Sequence, residues 1–325
     1  MCDRLIYGRS HNNTYKKYAD DKGCIVVRLD RALHGCVESA YLWYEHLSGT
    51  LAGLGYTKNP YDQCVFNTIS ADGVQVTVTV HVDDLLVTCC QEGPIMKLAE
   101  SLRSRYGEIK CVHGPITNYL GMVFDTSVKG EARVTMKGFV DDLLKWYGGC
   151  GSAKSPAGED LFDEKEEAEV CGEVVRKRFH STVAKLLYLA KRARPDVLTS
   201  VSYLATRVQK CNTEDIRKLE RVMNYLRATS GRGIVFRKGN EELQVRLFVD
   251  AAYGVHSNGK SHTGACVVIG DIGAVHCKSE KQRIVTKSST EAELVALSDS
   301  CNQGLHVRKF LQSQGRSGCH HFVPG

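Results

Sequence analysis

The sequence predicts an α+β protein: an antiparallel sheet with helices, then a run of helices, then a second sheet closed by a helix. Three observations carry that reading. Val74, Val76, Val78, Val80 and Val82 alternate with Gln75, Thr77, Thr79 and His81, a period of two in β-branched residues that specifies a strand. Residues 179–226 hold three successive apolar stripes at helical spacing. Beyond Leu243 the pattern returns to short β-rich runs and ends on a further helix.

In chain order, residues 24–29 form a short apolar run that reads as a strand. Ala40, Trp43, Leu47, Leu51 and Leu54 fall on one helical face, with Gly55 as its stop. The period-two run then enters Asp83-Asp84 and continues as Leu85-Leu86-Val87-Thr88, so a hairpin with both aspartates at its tip is expected. A helix over 95–106, strands over 119–124 and 132–136, and a helix over 139–147 follow. Gly148-Gly149-Cys150-Gly151-Ser152 and the acidic stretch behind it have the composition of a linker. The first helical stripe is Phe179, Val183, Leu186, Leu187 and Ala190, ending before Pro195. The second is Val197, Val201, Leu204, Ala205 and Val208. The third is Ile216, Leu219, Val222, Met223 and Leu226, capped by Asn212 or Thr213 and stopped near Gly231. Strands over 243–249, 264–270 and 274–278 precede a helix from about Thr290, with Leu294, Leu297, Cys301 and Leu305 on one face.

Composition bounds the classes. A hydrophobic fraction of 42% with 25% charged residues excludes disordered and low-complexity readings. No apolar run approaches the roughly 18 residues of a membrane span, and the first residues lack the apolar core of an export signal. A soluble, intracellular protein with no membrane partner is expected. The net charge of +6 is uneven. Residues 159–169 hold seven carboxylates and one lysine, which leaves 42 basic against 30 acidic residues elsewhere. That basic remainder suits a polyanionic partner. The fourteen cysteines are scattered without a Cys-x-x-Cys pair and read as reduced thiols. His320-His321 after Cys319 reads as a frayed terminus rather than a metal site.

Asp83 and Asp84 break a local rule. Two-residue hairpin loops favour Asn-Gly or Asp-Gly, and adjacent like charges repel unless a cation neutralises them. Alone, the pair reads first as a solvated acidic turn; functionally, paired carboxylates at a hairpin tip can hold the divalent metals of phosphoryl transfer.

The surrounding motifs favour the second reading. His81-Val82-Asp83-Asp84-Leu85-Leu86-Val87 resembles the metal motif of the reverse transcriptase of copia-type long-terminal-repeat retrotransposons. Upstream, Ala32-Leu33-His34-Gly35 through Trp43-Tyr44, Leu54-Gly55-Tyr56 and Asn59-Pro60-Tyr61-Asp62-Gln63-Cys64-Val65-Phe66 are similar to the same family. So are Tyr119-Leu120-Gly121-Met122, Tyr188-Leu189-Ala190, Arg194-Pro195-Asp196-Val197 and residues 221–227. Phe248-Val249-Asp250-Ala251-Ala252, Ser261-His262-Thr263-Gly264 and residues 287–294 look like its ribonuclease H domain. The match runs in the family's order from about residue 25 to 312.

The resemblance implies a fragment of a Pol polyprotein with a palm-like antiparallel sheet, a helical connection and a truncated RNase H-like α/β domain. The corresponding boundaries are 1–152 for the partial palm, 153–240 for the acidic linker and helical thumb or connection, and 241–325 for the RNase H-like part. It makes Asp83 and Asp84 the catalytic, metal-holding residues of an RNA-directed DNA polymerase, and Asp250 and Glu293 those of the ribonuclease H. The implied cofactor is Mg2+ (or Mn2+). The implied partners are an RNA template, a DNA primer, the RNA–DNA hybrid and deoxynucleoside triphosphates. Glu293 could instead cap its helix through Thr290, although Ser288 with Glu291 makes an equally good box one register earlier.

Departures from the family's pattern set the alternative. Glu38 stands where the family has Gln, and His81 where it has an aromatic residue. A third polymerase carboxylate, upstream, and a third ribonuclease H carboxylate, beyond the helix, find no match; Asp3, Asp20, Asp21 and Asp30 lack the family's neighbours, and Asp299 lies inside the helix. Each site is therefore expected to hold two carboxylates, and the chain reads as a window of a longer polyprotein. The rival to an active polymerase is a catalytically dead, nucleic-acid-binding remnant of a retroelement. The stretch 176–194, with seven Lys or Arg and no acid, is either a phosphate-tracking strip or a solvated helix face.

Overall fold

The computed structural model describes residues 6–9, 20–21, 24–27, 33, 36–165, 167–239 and 243–315, and the chain divides into two units, Met1–Ile109 and Lys110–Gly325. In the first unit β1 (Ile6–Arg9) pairs antiparallel with β2 (Cys24–Val27). There follow α1 (Val37–Gly53), β3 (Thr57–Lys58), β4 (Val65–Ile69), β5 (Gln75–His81), β6 (Asp84–Thr88) and α2 (Glu92–Tyr106). The last four strands make an antiparallel sheet in the order β3-β4-β5-β6.

The valine alternation explains that sheet. Val76, Val78 and Val80 are buried against Leu47 and Leu51 of α1 and Leu98 and Leu102 of α2, so both helices cover one face. Each buried valine is worth roughly 1.5–3 kcal/mol. On the other face Gln75 and Thr77 donate to Asn67 Oδ1 at 3.2 and 2.8 Å. Gly55 takes φ +85, which lets the Tyr56 N–H bond the Leu51 carbonyl at 3.0 Å and end α1.

The second unit begins with β7 (Ile116–Tyr119), β8 (Met122–Asp125), β9 (Glu131–Thr135) and α3 (Lys137–Tyr147). Next come α4 (Glu173–Arg192), a 3-10 turn at Pro195–Val197, α5 (Leu198–Ala205) and α6 (Thr213–Ala228). It closes with β10 (Ile234–Arg237), β11 (Val245–Ala252), β12 (His262–Ile269), β13 (Gly273–Lys281) and α7 (Ser289–Ser313). Two antiparallel sheets result, ordered β10-β9-β8-β7 and β11-β12-β13. The three helical stripes meet as expected: Phe179, Val183, Leu186, Ala190, Val201, Leu204, Leu219, Val222, Met223 and Leu226 share one core. A smaller core joins Leu247 and Val249 of β11, Val267 of β12 and Ala296 of α7. Asn212 is the cap of α6 and forms a reciprocal box with Asp215, 3.0 Å in each direction.

Several expectations are corrected. Residues 119–124 are not one strand but the hairpin of β7 and β8, because Leu120 and Gly121 both take positive φ, 51° and 76°, as a type I′ turn requires. The period-two run stops at His81, and Val82 lies in the turn with φ 57. The loop residues are therefore Val82 and Asp83, while Asp84 opens β6 opposite His81. β11 continues through Asp250 to Ala252, past the expected end at 249. β1, β3, β4 and β10 have no counterpart in the sequence reading. The acidic stretch 159–169 packs closely: Leu161 is buried, Glu164 pairs with Arg207, Asp160 with Arg217, and the Asp163 carbonyl accepts from Lys218 Nζ at 2.6 Å. Residues 28–29 of the expected first strand, Asp3, Asp30, Ala32, His34, Gly35, Cys319, His320 and His321 lie outside the described residues.

Candidate functional site

In the first unit the candidate residues sit on the β5–β6 hairpin. Asp83 and Asp84 are exposed, and neither side chain has a hydrogen bond or ion pair among the described residues. The turn is tethered from outside the sheet, by Trp43 of α1, whose Nε1 donates to the Val82 carbonyl at 2.7 Å. Trp43 in turn meets Tyr106 of α2 edge-on, ring centres 5.4 Å apart. The loop before β4 is fixed by buried Asn59, whose Oδ1 accepts from the Tyr61 and Asp62 N–H groups at 2.8 and 3.1 Å. Asp62 Oδ1 accepts from the Cys64 N–H at 2.9 Å, and Tyr44 OH donates to the Gln63 carbonyl at 2.7 Å. Motif residues 59–66 thus shape the strand that pairs with β5.

In the second unit Asp250 lies on β11 opposite Gly264 of β12. Glu293, in the second turn of α7, is brought to it: its Oε1 accepts from the N–H of Ala251, next along the chain, at 3.2 Å. Both carboxylates are exposed. Ser288, not Thr290, caps α7 by accepting from the Glu291 N–H at 3.2 Å, while Glu291 accepts from the Lys287 N–H at 2.6 Å. Gln282 ties the helix start to the sheet, donating to the Ala292 carbonyl at 2.9 Å and to Thr263 Oγ1 at 3.1 Å. Sequence reasoning missed Gln282, for a single glutamine after a strand carries no periodic signal.

The Ser261-His262-Thr263 motif builds the floor of this unit. Ser261 Oγ accepts from the Gly254 N–H at 3.0 Å and meets Thr286 Oγ1 at 3.1 Å. His262 Nδ1 and His256 Nε2 are 3.1 Å apart, and His262 Nε2 is 2.7 Å from Ser279 Oγ. Burial pushes both imidazoles down to about 4, so both are neutral near pH 7. Phe162, from the acidic stretch, packs on both rings.

The basic stretch divides. Arg194 is 1% exposed, donates to both Asp196 oxygens at 2.9 and 2.8 Å and to the Thr229 carbonyl, and so is a structural cation. Arg178 donates to the Tyr147 carbonyl, and Lys185 and Arg192 lie over the rings of Trp146 and Tyr188. Arg176, Lys177 and Lys191 are exposed. Among the described residues no group of three or more His, Cys, Asp or Glu is placed to hold a metal, and no helix is long and apolar enough to cross a membrane.

Residues 14–154 match the family model described as reverse transcriptase (RNA-dependent DNA polymerase). The chain is 24% identical over 298 residues to the retrovirus-related Pol polyprotein from transposon TNT 1-94 of Nicotiana tabacum, which covers 90% of this chain and 22% of the relative. It is 25% identical over 307 residues to the Pol polyprotein from transposon RE1 of Arabidopsis thaliana, covering 91% of this chain and 20% of that one. With the putative transposon Ty5-1 protein of Saccharomyces cerevisiae it shares 23% identity over 282 residues, covering 85% of this chain and 88% of that protein. This chain thus spans about a fifth of the Pol polyproteins it matches. Among solved structures it resembles the foamy viral protease-reverse transcriptase in complex with an RNA/DNA hybrid, with a TM-score of 0.54 and 11% identity over 94% of this chain and 40% of that one. That likeness supports the mixed α+β fold.

Proposed function

From a chain that is related to copia-type retrotransposon Pol polyproteins and carries a reverse transcriptase segment at 14–154, we propose the role of an RNA-directed DNA polymerase in which Asp83 and Asp84 hold the catalytic cations. The observation that carries it is the tethered hairpin: two exposed carboxylates, unpaired among the described residues, on a turn held by Trp43. Two adjacent carboxylates with no internal counter-charge suit Mg2+ (or Mn2+), which takes one or two carboxylates and completes its shell with water and substrate phosphates. When bound, such ions stabilise charge on the attacking and leaving oxygens of phosphoryl transfer. The chain's own part is to present Asp83 from the loop and Asp84 from the first position of β6, and to fix their spacing through the sheet and the indole tether. The partners this role implies are an RNA template, a DNA primer and deoxynucleoside triphosphates.

The β11–β12–β13 sheet with α7 supports a second proposed centre, RNase H-like, acting on the RNA–DNA hybrid. Asp250 and Glu293 are its carboxylates, and the Ala251 N–H holds Glu293 beside the strand. One observation favours the rival reading, nucleic-acid binding without catalysis: neither pair gains a third His, Cys, Asp or Glu among the described residues.

Primer extension on a homopolymer RNA template separates the readings. Magnesium-dependent synthesis that Asp83→Asn abolishes is expected; hybrid binding with no extension supports the rival. For the second centre, cleavage of a labelled RNA–DNA hybrid should be lost in Glu293→Gln, which keeps an oxygen for the Ala251 N–H and removes only the charge. Cleavage that survives this change removes Glu293 from the proposed centre.

A further inference from the structure

Cys266 of β12 and Cys277 of β13 face each other directly across the antiparallel ladder, with their sulfurs 3.6 Å apart and both residues half-buried. The ladder fixes the kind of position they occupy. Ser261 and Gln282 stand one step before the first paired residues, His262 and Lys281, and the Gln282 N–H bonds the Ser261 carbonyl at 2.9 Å. Hydrogen-bonded and non-hydrogen-bonded pairs alternate along an antiparallel ladder. Counting in steps of two from Ser261–Gln282 puts Ala265–Lys278 at a bonded position and Cys266–Cys277 at a non-bonded one. Non-bonded pairs bring Cα atoms to about 4.5 Å and their side chains closest, within the span of about 4.4–6.8 Å that a disulfide bridges.

We propose that Cys266 and Cys277 are a redox-responsive cross-strand pair that closes to a disulfide on exposure to a low-molecular-weight disulfide. The Cys266 thiolate attacks one sulfur of the small disulfide, forming a mixed disulfide and releasing one small thiolate. The Cys277 thiolate then attacks the Cys266 sulfur and releases the second. Two protein thiols lose two electrons, the small disulfide is reduced to two thiols, and the two protons pass to the released thiolates. The Cys277 thiol donates to the Cys266 sulfur, which holds Cys266 down at about 7, near the value at which thiolate attack is fastest. Cys211, which neighbours Cys171, has no exposure at all, so the same oxidant does not reach its sulfur.

The test is peptide mapping of the folded chain after oxidised glutathione, with free thiols blocked by alkylation before digestion. A peptide pair joined through Cys266 and Cys277, about 2 Da lighter than its two thiol peptides and split by a dithiol, is the expected result. Cys266→Ser should remove the joined pair and leave Cys277 as a thiol or a glutathione adduct. Cys277 packs against the helical core, so Cys266→Ala is the second control should a change at 277 impair folding. Recovery of Cys266 and Cys277 from the wild-type chain as alkylated thiols, or as separate glutathione adducts, overturns the proposal.

Discussion

The indole Nε1 of Trp43 reaches the main-chain oxygen of Val82 at 2.7 Å, so that a helix residue holds the turn carrying Asp83. Trp43 is braced by Tyr106, and Tyr106 OH meets Thr50 Oγ1 at 2.7 Å. Trp43→Phe keeps an aromatic body against Tyr106 and deletes the donor. Water can satisfy the exposed Val82 oxygen, so urea denaturation should show a loss of only about 0.5–1.5 kcal/mol. Extension on RNA should fall more, roughly tenfold, because the carboxylates lose the brace on their position. Unchanged extension would mean that strand pairing alone fixes the two aspartates.

Val82 itself carries backbone strain. A β-branched residue at φ 57 occupies a region that L-residues ordinarily avoid, at a cost of about 1–2 kcal/mol. Val82→Gly relieves that cost, offset by about 0.5–1 kcal/mol of chain entropy. The denaturation midpoint should therefore rise by a small margin while extension falls, since a glycine turn orients Asp83 less tightly. A lower midpoint would show that the valine side chain contributes packing that its exposure conceals.

The sequence made the strands with one buried face legible and hid those without one. Val76, Val78 and Val80 alternate because only one side of β5 meets helices. The same alternation misled at Val82, an apolar residue in phase with the strand but placed in the loop. β10 spans four residues and finds its partner β9 about a hundred positions upstream, beyond any local pattern. Asp83 and Asp84 stand out as adjacent like charges at a hairpin tip and the motifs decide their reading, while Asp250 and Glu293 are nameable only through motifs. That Glu293 reaches the N–H of Ala251, 42 residues earlier, depends on the packing of α7 on β11. Trp43 reads as an apolar position in a helical stripe and as part of the Trp43-Tyr44 motif; its donor role needs the turn that the helix approaches.

The paired imidazoles give the second unit a defined acid sensitivity. His256 and His262 are pushed down to about 4 chiefly by burial, with Lys281 adding to the effect on both and the carboxylates of Glu164 and Glu280 opposing it. Between about pH 4 and 6.5 the unfolded chain takes up protons that the folded chain refuses. Stability is thus full above about pH 7 and falls as pH drops through 6.5 towards 4, by up to roughly 3 kcal/mol per ring. Denaturation series at pH 7.5 and 5 should show the loss, and His262→Gln should flatten it. An equal loss in that variant would assign the sensitivity to other groups.

Arg207 tests whether the acidic stretch is held or merely adjacent. Its side chain is 5% exposed and contacts Asp215, 2% exposed, at 3.1 Å and Glu164, 17% exposed. Arg207→Met keeps most of the volume and strands two carboxylates whose charge it had balanced. Removing one partner from a buried ionic group typically costs about 3–5 kcal/mol, and most of that should appear in urea denaturation. Adding Asp215→Asn, which keeps an oxygen for the Asn212 N–H and drops the stranded charge, should recover part of the loss. Glu164 is held below the ordinary carboxylate range by hydrogen bonding and by the charges of Arg207 and Lys210 against its burial; without the guanidinium its proton affinity rises. The single variant should therefore be least damaging at mildly acid pH, where Glu164 can neutralise itself. A cost below about 1 kcal/mol at pH 7, the range of exposed ion pairs, would mean that Leu161 and Phe162, not the ion pairs, anchor the stretch.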